Sequence, residues 1–446
     1  MAKKTAIRYE CSHCGATFAA WAGRCSTCGE WNTLQEQIDV TASLSSHRGS
    51  LSPKSLSDVL VHDTVVRIPT DMADVNTVLG GGFVPGGVVL LAGEPGIGKS
   101  TVLLQVANSI QKHGKVLYVS GEESAHQVAM RADRLGVKAH AIDIASTAAT
   151  NDIAATIRNG DYTLAIVDSI QTVGVDEISS ALGSVSQITN STQLLTAAAK
   201  ASNTALIIVG HVTKEGSIAG PKVLEHTVDA VLQLEGDRYG GFKLLRSIKN
   251  RFGATGETGI FEMTEQGLQA VANPSAALLA ERQIADGSVV HATIEGSRAL
   301  LVEIQALVNT SSYGYPKRAA SGFDSNRLNL LVAMLERRTK LTLADKDIYI
   351  NVVGGIRLQE PAADLAVVMA IASAAKGMQL KKNAVVFGEL GLSGELRHVP
   401  MAEKRVAEAK KLGFDGAIGP RTNKKLTGLV SVTTVREALN TFLEKD

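Results

Sequence analysis

Gly93-Glu94-Pro95-Gly96-Ile97-Gly98-Lys99-Ser100, entered from the apolar run Val88–Ala92 and continued by Thr101–Gln111, decides the fold. The eight residues satisfy GxxxxGK[ST], a loop whose glycines let successive backbone N–H groups curl around phosphates. Lys99 is positioned to reach the β and γ oxygens, and Ser100 to ligate Mg²⁺. The chain has 42 glycines, so the bare pattern arises by chance easily. The context does not: a buried strand leads in, and a helix follows whose N-terminus faces the anion. Gly93, Glu94, Pro95, Gly96, Ile97, Gly98, Lys99, Ser100 and Thr101 are therefore read as an ATP-binding segment.

Working outward, such a loop needs an acidic metal partner at the end of a neighbouring strand. Leu164-Ala165-Ile166-Val167-Asp168 supplies four apolar residues and then Asp168, which would hold Mg²⁺ through water. Asp152 and Asp161 lack the apolar run and read as surface residues. A base for the attacking water is expected on another strand end, where Tyr118-Val119-Ser120-Gly121-Glu122-Glu123 offers two carboxylates. Glu122 is preferred over Glu123, against the alternative of a solvated acidic turn. The run Ala205–Val209 ends in Gly210-His211-Val212-Thr213-Lys214. His211 there would sense the γ-phosphate and pass its state into a glycine-rich loop carrying Lys214 and Lys222, unless it is an ordinary strand-end histidine. Lys249-Asn250-Arg251-Phe252-Gly253 sets two cations around an amide. It is either a solvated basic turn or a finger that reaches a neighbour's γ-phosphate.

From about 60 to 270, strand-length apolar runs (Val88–Ala92, Val116–Ser120, Leu164–Asp168, Ala205–Gly210, Ala230–Leu234) alternate with helical patterns. That alternation predicts an α/β fold with a mostly parallel sheet flanked by helices. The 446 residues exceed what one core supports, and the chain reads as several domains. Residues 41–57 hold seven serines without helical or strand period, so 36–60 is read as a flexible linker. An alanine-rich seam at 271–280 reads as a second junction, and 286–446 as a further α/β domain with a helix opening at Asp324. Lys+Arg (45) and Asp+Glu (44) nearly cancel, which excludes capture of nucleic acid by bulk charge and leaves only local basic surfaces. No apolar run approaches the ~18 residues of a membrane span, and no secretory core follows Met1. A cytoplasmic location without membrane partners is expected.

All four cysteines lie in Cys11-Ser12-His13-Cys14 and Cys25-Ser26-Thr27-Cys28. Two CxxC knuckles aim four thiolates at one ion, the donor set of a structural Zn²⁺ site with no open position for chemistry. The compartment argues against disulfides, and a redox motif would explain one pair only. Residues 1–35 are read as a Cys₄ zinc ribbon, with His13 surplus to it.

Leu79-Gly80-Gly81-Gly82-Phe83-Val84-Pro85-Gly86-Gly87 running into the phosphate loop resembles the opening of RecA-family recombination ATPases. With the CxxC pairs, Lys249–Gly253 and the last third added, the whole chain resembles the RadA (Sms) family of bacterial DNA repair proteins. The resemblance implies a RecA-like ATPase core over 61–270, in a hexameric ring. It implies action on single-stranded DNA and recombination intermediates, a recombinase-type protein partner, and branch migration by a motor similar to DnaB-type helicases. Lys99 would be the phosphate-loop lysine, and Lys249 and Arg251 catalytic cations acting across the subunit interface. The last third resembles the Lon peptidase domain through Gly296-Ser297-Arg298-Ala299-Leu300-Leu301-Val302-Glu303 and Val352-Val353-Gly354-Gly355. Lon requires a serine nucleophile and a lysine; here Asp364 stands at the serine position, and Glu403 and Lys404 are poor lysine matches. Peptidase activity is therefore not expected, and the fold would serve as a platform. Arg337, Arg338, Lys340, Lys381, Lys382, Lys410, Lys411, Lys424 and Lys425 are its candidate phosphate contacts. The alternatives to a DNA motor are an ATP-dependent Lon-like peptidase and a nucleotide-gated adaptor that recruits a partner through the ribbon.

Overall fold

The apolar runs of the middle of the chain become the strands of one large sheet in the computed structural model, which describes residues 7–38, 66–211, 223–236, 242–312, 314–380 and 383–444. Most of the expected linker, and Lys214, Lys222, Lys381 and Lys382, lie outside the described residues. The chain divides into two compact units, the first holding most of the chain up to Ala270 and the second Val271 onward together with Gly236–Lys243 and Ile260–Glu262.

In the first unit, β1 (Ile7–Cys11), β2 (Thr17–Phe18) and β3 (Leu34–Ile38) form a small sheet in the order β2-β1-β3, all antiparallel. The large sheet contains β4 (Val88–Gly93), β5 (Lys115–Ser120), β6 (Ile142–Ser146), β7 (Tyr162–Asp168), β8 (Ala205–His211) and β9 (Ala230–Gly236). It is continued by β10 (Phe242–Asn250), β11 (Thr258–Thr264) and β12 (Gly267–Ala270). The order is β12-β11-β10-β9-β4-β8-β7-β5-β6, and every pairing from β9 to β6 is parallel.

Parallel strands covered on both faces must be apolar throughout rather than alternating, and β4 is buried at all six positions. One face carries Val88, Leu90, Leu117, Val119, Ala165, Val167, Leu206 and Ile208 into a shared core. Helix Thr150–Asn159 adds Ile153, Ala154 and Ile157, and helix Val185–Ser202 adds Ile188, Leu195, Ala198 and Ala199, spacings that keep one stripe inward. Each fully buried Leu or Ile contributes about 2 kcal/mol of transfer free energy, enough in sum to hold polar strand ends in place.

The second unit is built on a seven-stranded sheet. Its strands β13 (Ser288–Glu295), β14 (Arg298–Thr310), β15 (Arg318–Ser321) and β16 (Lys346–Val352) stand in the order β15-β16-β14-β13. Ala384–Val386, Gly416–Gly419 and Leu429–Ser431 complete it. Helix Ser325–Thr339 is capped by Asp324 and buries Leu328, Leu331, Val332 and Leu335, the stripe its spacing predicts. The unit boundary at Ala270 opens the seam 271–280 expected as a junction, and within that seam Pro274–Leu279 forms a helix of this unit. Ser275 Oγ there donates to Glu408 Oε1 at 2.8 Å and accepts from Leu301 N at 3.1 Å.

Candidate nucleotide site and associated elements

Parallel registers bring the polar strand ends to one edge of the sheet. Gly93 pairs with His211 across β4 and β8, and Ser120 with Asp168 across β5 and β7. The loop after β4 turns through Gly96 (φ +79°) and Gly98 (φ +116°), conformations that disfavour any side chain. Helix Lys99–Ile110 then starts at Gly98 with no side-chain cap, so its first N–H groups are open to an external anion.

Lys99 is buried, and its ammonium donates to Gly93 O at 2.9 Å and Glu94 O at 3.0 Å and meets His211 Nδ1 at 3.3 Å. Burial lowers its pKa, against the opposing pull of Asp168 and Glu122. His211 thus stands between the two charges of the site, with Nδ1 against Lys99 and Nε2 facing Glu122 Oε1 at 3.6 Å. Ser100 Oγ donates to Asp168 Oδ2 at 2.9 Å. A hydroxyl and a carboxylate so placed are hard oxygen donors, the set that suits Mg²⁺. Thr101, next in the helix, is half-buried. Glu94, Pro95 and Gly96 form the outer lip of the loop, and Ile97 is buried beneath it.

The two adjacent acids part company. Glu122 turns toward the site, where Ser169 Oγ donates to its Oε1 at 3.0 Å. Glu123 turns away and is paired with Arg131. Sequence reasoning passed over Ser169 and Tyr118, whose hydroxyl donates to Asp168 Oδ2 at 2.9 Å. The available signal was a tyrosine inside an otherwise apolar strand.

Lys249–Gly253 is not a solvated turn. Lys249 Nζ donates to Glu225 O at 2.5 Å and Val228 O at 2.8 Å, closing the end of helix Val223–Thr227. Desolvation, then the charge of Arg251, lowers its pKa. Asn250 Nδ2 donates to Val78 O at 3.2 Å, and Arg67 donates to Phe252 O at 2.5 Å. Gly253 lies so close to Gly80 that an added Cβ would meet its Cα at 3.1 Å, which explains why this contact needs glycine. Arg251 Nη1 donates to Asp229 Oδ1 at 3.1 Å while its side chain stays 54% exposed. Asp229 Oδ2 accepts from Val88 N, at the start of β4. The phosphate loop leaves the other end of that strand, about 17 Å away at ~3.3 Å per residue. A single guanidinium cannot bridge that span within one chain.

The four cysteine sulfurs all lie within 4.8 Å of one another. Cys11 and Cys28 stand 3.6 Å apart and Cys14 and Cys25 3.7 Å apart. Corners of a tetrahedron with ~2.3 Å Zn–S bonds are separated by about 3.8 Å, so the cluster fits zinc. Gly15 N donates to Cys11 O and Gly29 N to Cys25 O, closing both knuckles. His13 is exposed outside the cluster. Trp21 and Trp31 are also exposed, and Arg24 lies over the Trp31 ring at 5.7 Å.

In the second unit, Asp364 opens helix Asp364–Lys376 and is fully buried. Its carboxylate accepts from Arg327 Nε at 3.0 Å, from Arg327 Nη2, and from Leu390 N at 3.1 Å. Lys404 Nζ is bound to Ser297 O at 2.7 Å. A carboxylate locked by a guanidinium is no substitute for a serine alkoxide. Of the expected basic contacts, Arg337, Arg338, Lys340, Lys410, Lys411, Lys424 and Lys425 are exposed. Among the described residues no helix is long and apolar enough to cross a membrane.

Three family models match the chain: an AAA domain over residues 55–217, a rubredoxin metal binding domain over 9–36, and subunit ChlI of Mg-chelatase over 308–423. DNA repair protein RadA of Pseudomonas aeruginosa is 46% identical over 447 residues, covering 98% of each chain. The RadA proteins of Bacillus subtilis and Escherichia coli are each 44% identical, covering 99% and 95% of this chain and 99% and 94% of their own. A solved RadB recombinase structure covers 46% of this chain and 99% of its own, at 23% identity and a TM-score of 0.38.

Proposed function

The chain belongs to the RadA family of DNA repair proteins, and from that premise we propose that it spends ATP on moving along DNA. It hydrolyses ATP when single-stranded DNA is bound, as a homo-oligomeric ring of six, and drives branch migration of recombination intermediates in the manner of a helicase motor. In this reading Lys99 binds the β and γ oxygens, Ser100 and Asp168 hold Mg²⁺, and Glu122 activates the attacking water. His211 couples γ-phosphate occupancy to the loop that follows it. Arg251 reaches the phosphates bound by the adjacent subunit, with Lys249 holding the backbone that carries it.

One observation supports this reading above others. The phosphate loop and the half-exposed Arg251 stand at opposite ends of the same strand, the arrangement a pocket completed by a neighbour requires. The exposed basic residues of the second unit are proposed phosphate contacts, and the exposed indoles with Arg24 a docking point for a recombinase-type protein, since Trp and Arg dominate interface energetics. The test is ATP turnover by the full chain with and without single-stranded DNA, followed by junction movement. DNA should stimulate turnover, steeply less so as salt rises, and Lys99→Ala should abolish it. Turnover that ignores DNA and moves no junction favours the adaptor; ATP-dependent proteolysis surviving Asp364→Ala favours the peptidase.

A further inference from the structure

Strand β5 buries Tyr118 between two apolar strand neighbours, and the hydroxyl's hydrogen bond goes to the edge where nucleotide chemistry is proposed. Tyr118 has no exposed surface. Its hydroxyl donates to Asp168 Oδ2 at 2.9 Å, and the same oxygen accepts from Ser100 Oγ at 2.9 Å. Oδ2 is thus occupied by two protein hydroxyls, while no donor among the described residues reaches Oδ1. A buried phenol is unfavourable without a partner, and phenylalanine would fill the same volume, so the hydroxyl needs another reason.

We propose that Tyr118 is a positioning residue of the magnesium site, fixing the rotation of the Asp168 carboxylate so that Oδ2 stays on the protein and Oδ1 is presented to the water shell of the metal. The inference rests on the reading of Asp168 as the metal carboxylate. It is compatible with Ser100 as a ligand, because a serine hydroxyl can direct a lone pair at a cation while its O–H continues to donate to Asp168 Oδ2. Two donors on one oxygen remove the freedom of the carboxylate to flip, and outer-sphere hydrogen bonds of this kind typically govern metal affinity by ten- to a hundred-fold.

The experiment uses the full chain with ADP, and Mn²⁺ in place of Mg²⁺ so that free ion is counted by electron paramagnetic resonance. Tyr118→Phe should raise the Mn²⁺ dissociation constant about tenfold or more, with metal-free ADP affinity and melting temperature unchanged. Asp168→Asn is the reference and should weaken Mn²⁺ at least as much. If Asp168→Asn weakens the ion and Tyr118→Phe does not, the role of Tyr118 is overturned and that of Asp168 stands. If Asp168→Asn has no effect, the reading of Asp168 fails and this proposal with it. A loss in Tyr118→Phe that only tracks a fall in melting temperature would assign the residue to packing and overturn the proposal as well.

Discussion

Replacing Arg327 by alanine should cripple the second unit far more than replacing its partner. Asp364 is fully buried, whereas the Arg327 side chain keeps 32% of its surface in contact with solvent. The pair is joined through Nε at 3.0 Å and through Nη2, and Arg327 Nη2 also donates to Leu390 O at 3.1 Å. Arg327→Ala leaves a carboxylate sealed from water with only the Leu390 N–H at 3.1 Å to answer it. Stranding a buried charge costs about 3–5 kcal/mol. Asp364→Ala leaves a guanidinium that can hydrate through its exposed third, and the cost falls to about 1.5–3 kcal/mol for the lost charged hydrogen bonds. At about 2–4 °C per kcal/mol for a unit of this size, Arg327→Ala lowers the melting transition by about 6–20 °C and Asp364→Ala by about 3–12 °C. Scanning calorimetry of the full chain reads both, and the double variant Arg327→Met/Asp364→Leu should recover most of the loss. An Arg327→Ala transition within a degree of the parent, or an Asp364→Ala loss larger than that of Arg327→Ala, refutes the reasoning.

Three further outcomes follow from the same geometry. Glu122→Gln should cut ATP turnover by about 10²–10⁴-fold while retaining nucleotide binding, and Glu123→Gln, whose acid is paired with Arg131, should change it only a few-fold; steady-state kinetics separates the two. Burial pushes the Glu360 carboxyl up, but the Arg405 pair and His291 outweigh it and hold it well below the usual carboxylate range. Its contribution is therefore full above about pH 4.3 and is lost as pH falls toward the lowered value. Glu360→Gln should cost about 2–4 kcal/mol near pH 7, with the gap narrowing below pH 4 in urea titrations. Apart from Leu34, the buried apolar core of the ribbon is its own ligands Cys11 and Cys25, so chelation should release one Zn²⁺ per chain and unfold it. Both tryptophans of the chain, Trp21 and Trp31, lie there, so indole fluorescence reports that event alone.

The elements legible in the sequence are those whose signal is local. The phosphate loop, Asp168 after four apolar residues, the CxxC knuckles and the Asp324-capped helix each depend on neighbours within about ten positions. The rest depends on contacts between distant segments. Nothing near Glu122 and Glu123 distinguishes them; the choice is made by His211 and Ser169 on one side and Arg131 on the other. Lys249 reads as a free cation until helix Val223–Thr227 supplies the carbonyls it closes. Likewise, Asp364 is recognisable as a missing serine, but its arginine partner comes from 37 residues upstream. The parallel core was readable because both faces of its strands are apolar, whereas the continuation of the sheet through β10, β11 and β12 was not.

Arg251 is proposed to act on nucleotide held by the adjacent subunit, and mixing two inactive variants tests that role. Lys99→Ala lacks the cradle lysine and Arg251→Ala the reaching cation. In a ring mixed at equal amounts, about a quarter of interfaces pair an intact cradle with an intact Arg251. DNA-stimulated hydrolysis should return to about that fraction of the parent rate. Two variants that co-assemble and remain as inactive together as apart would contradict it.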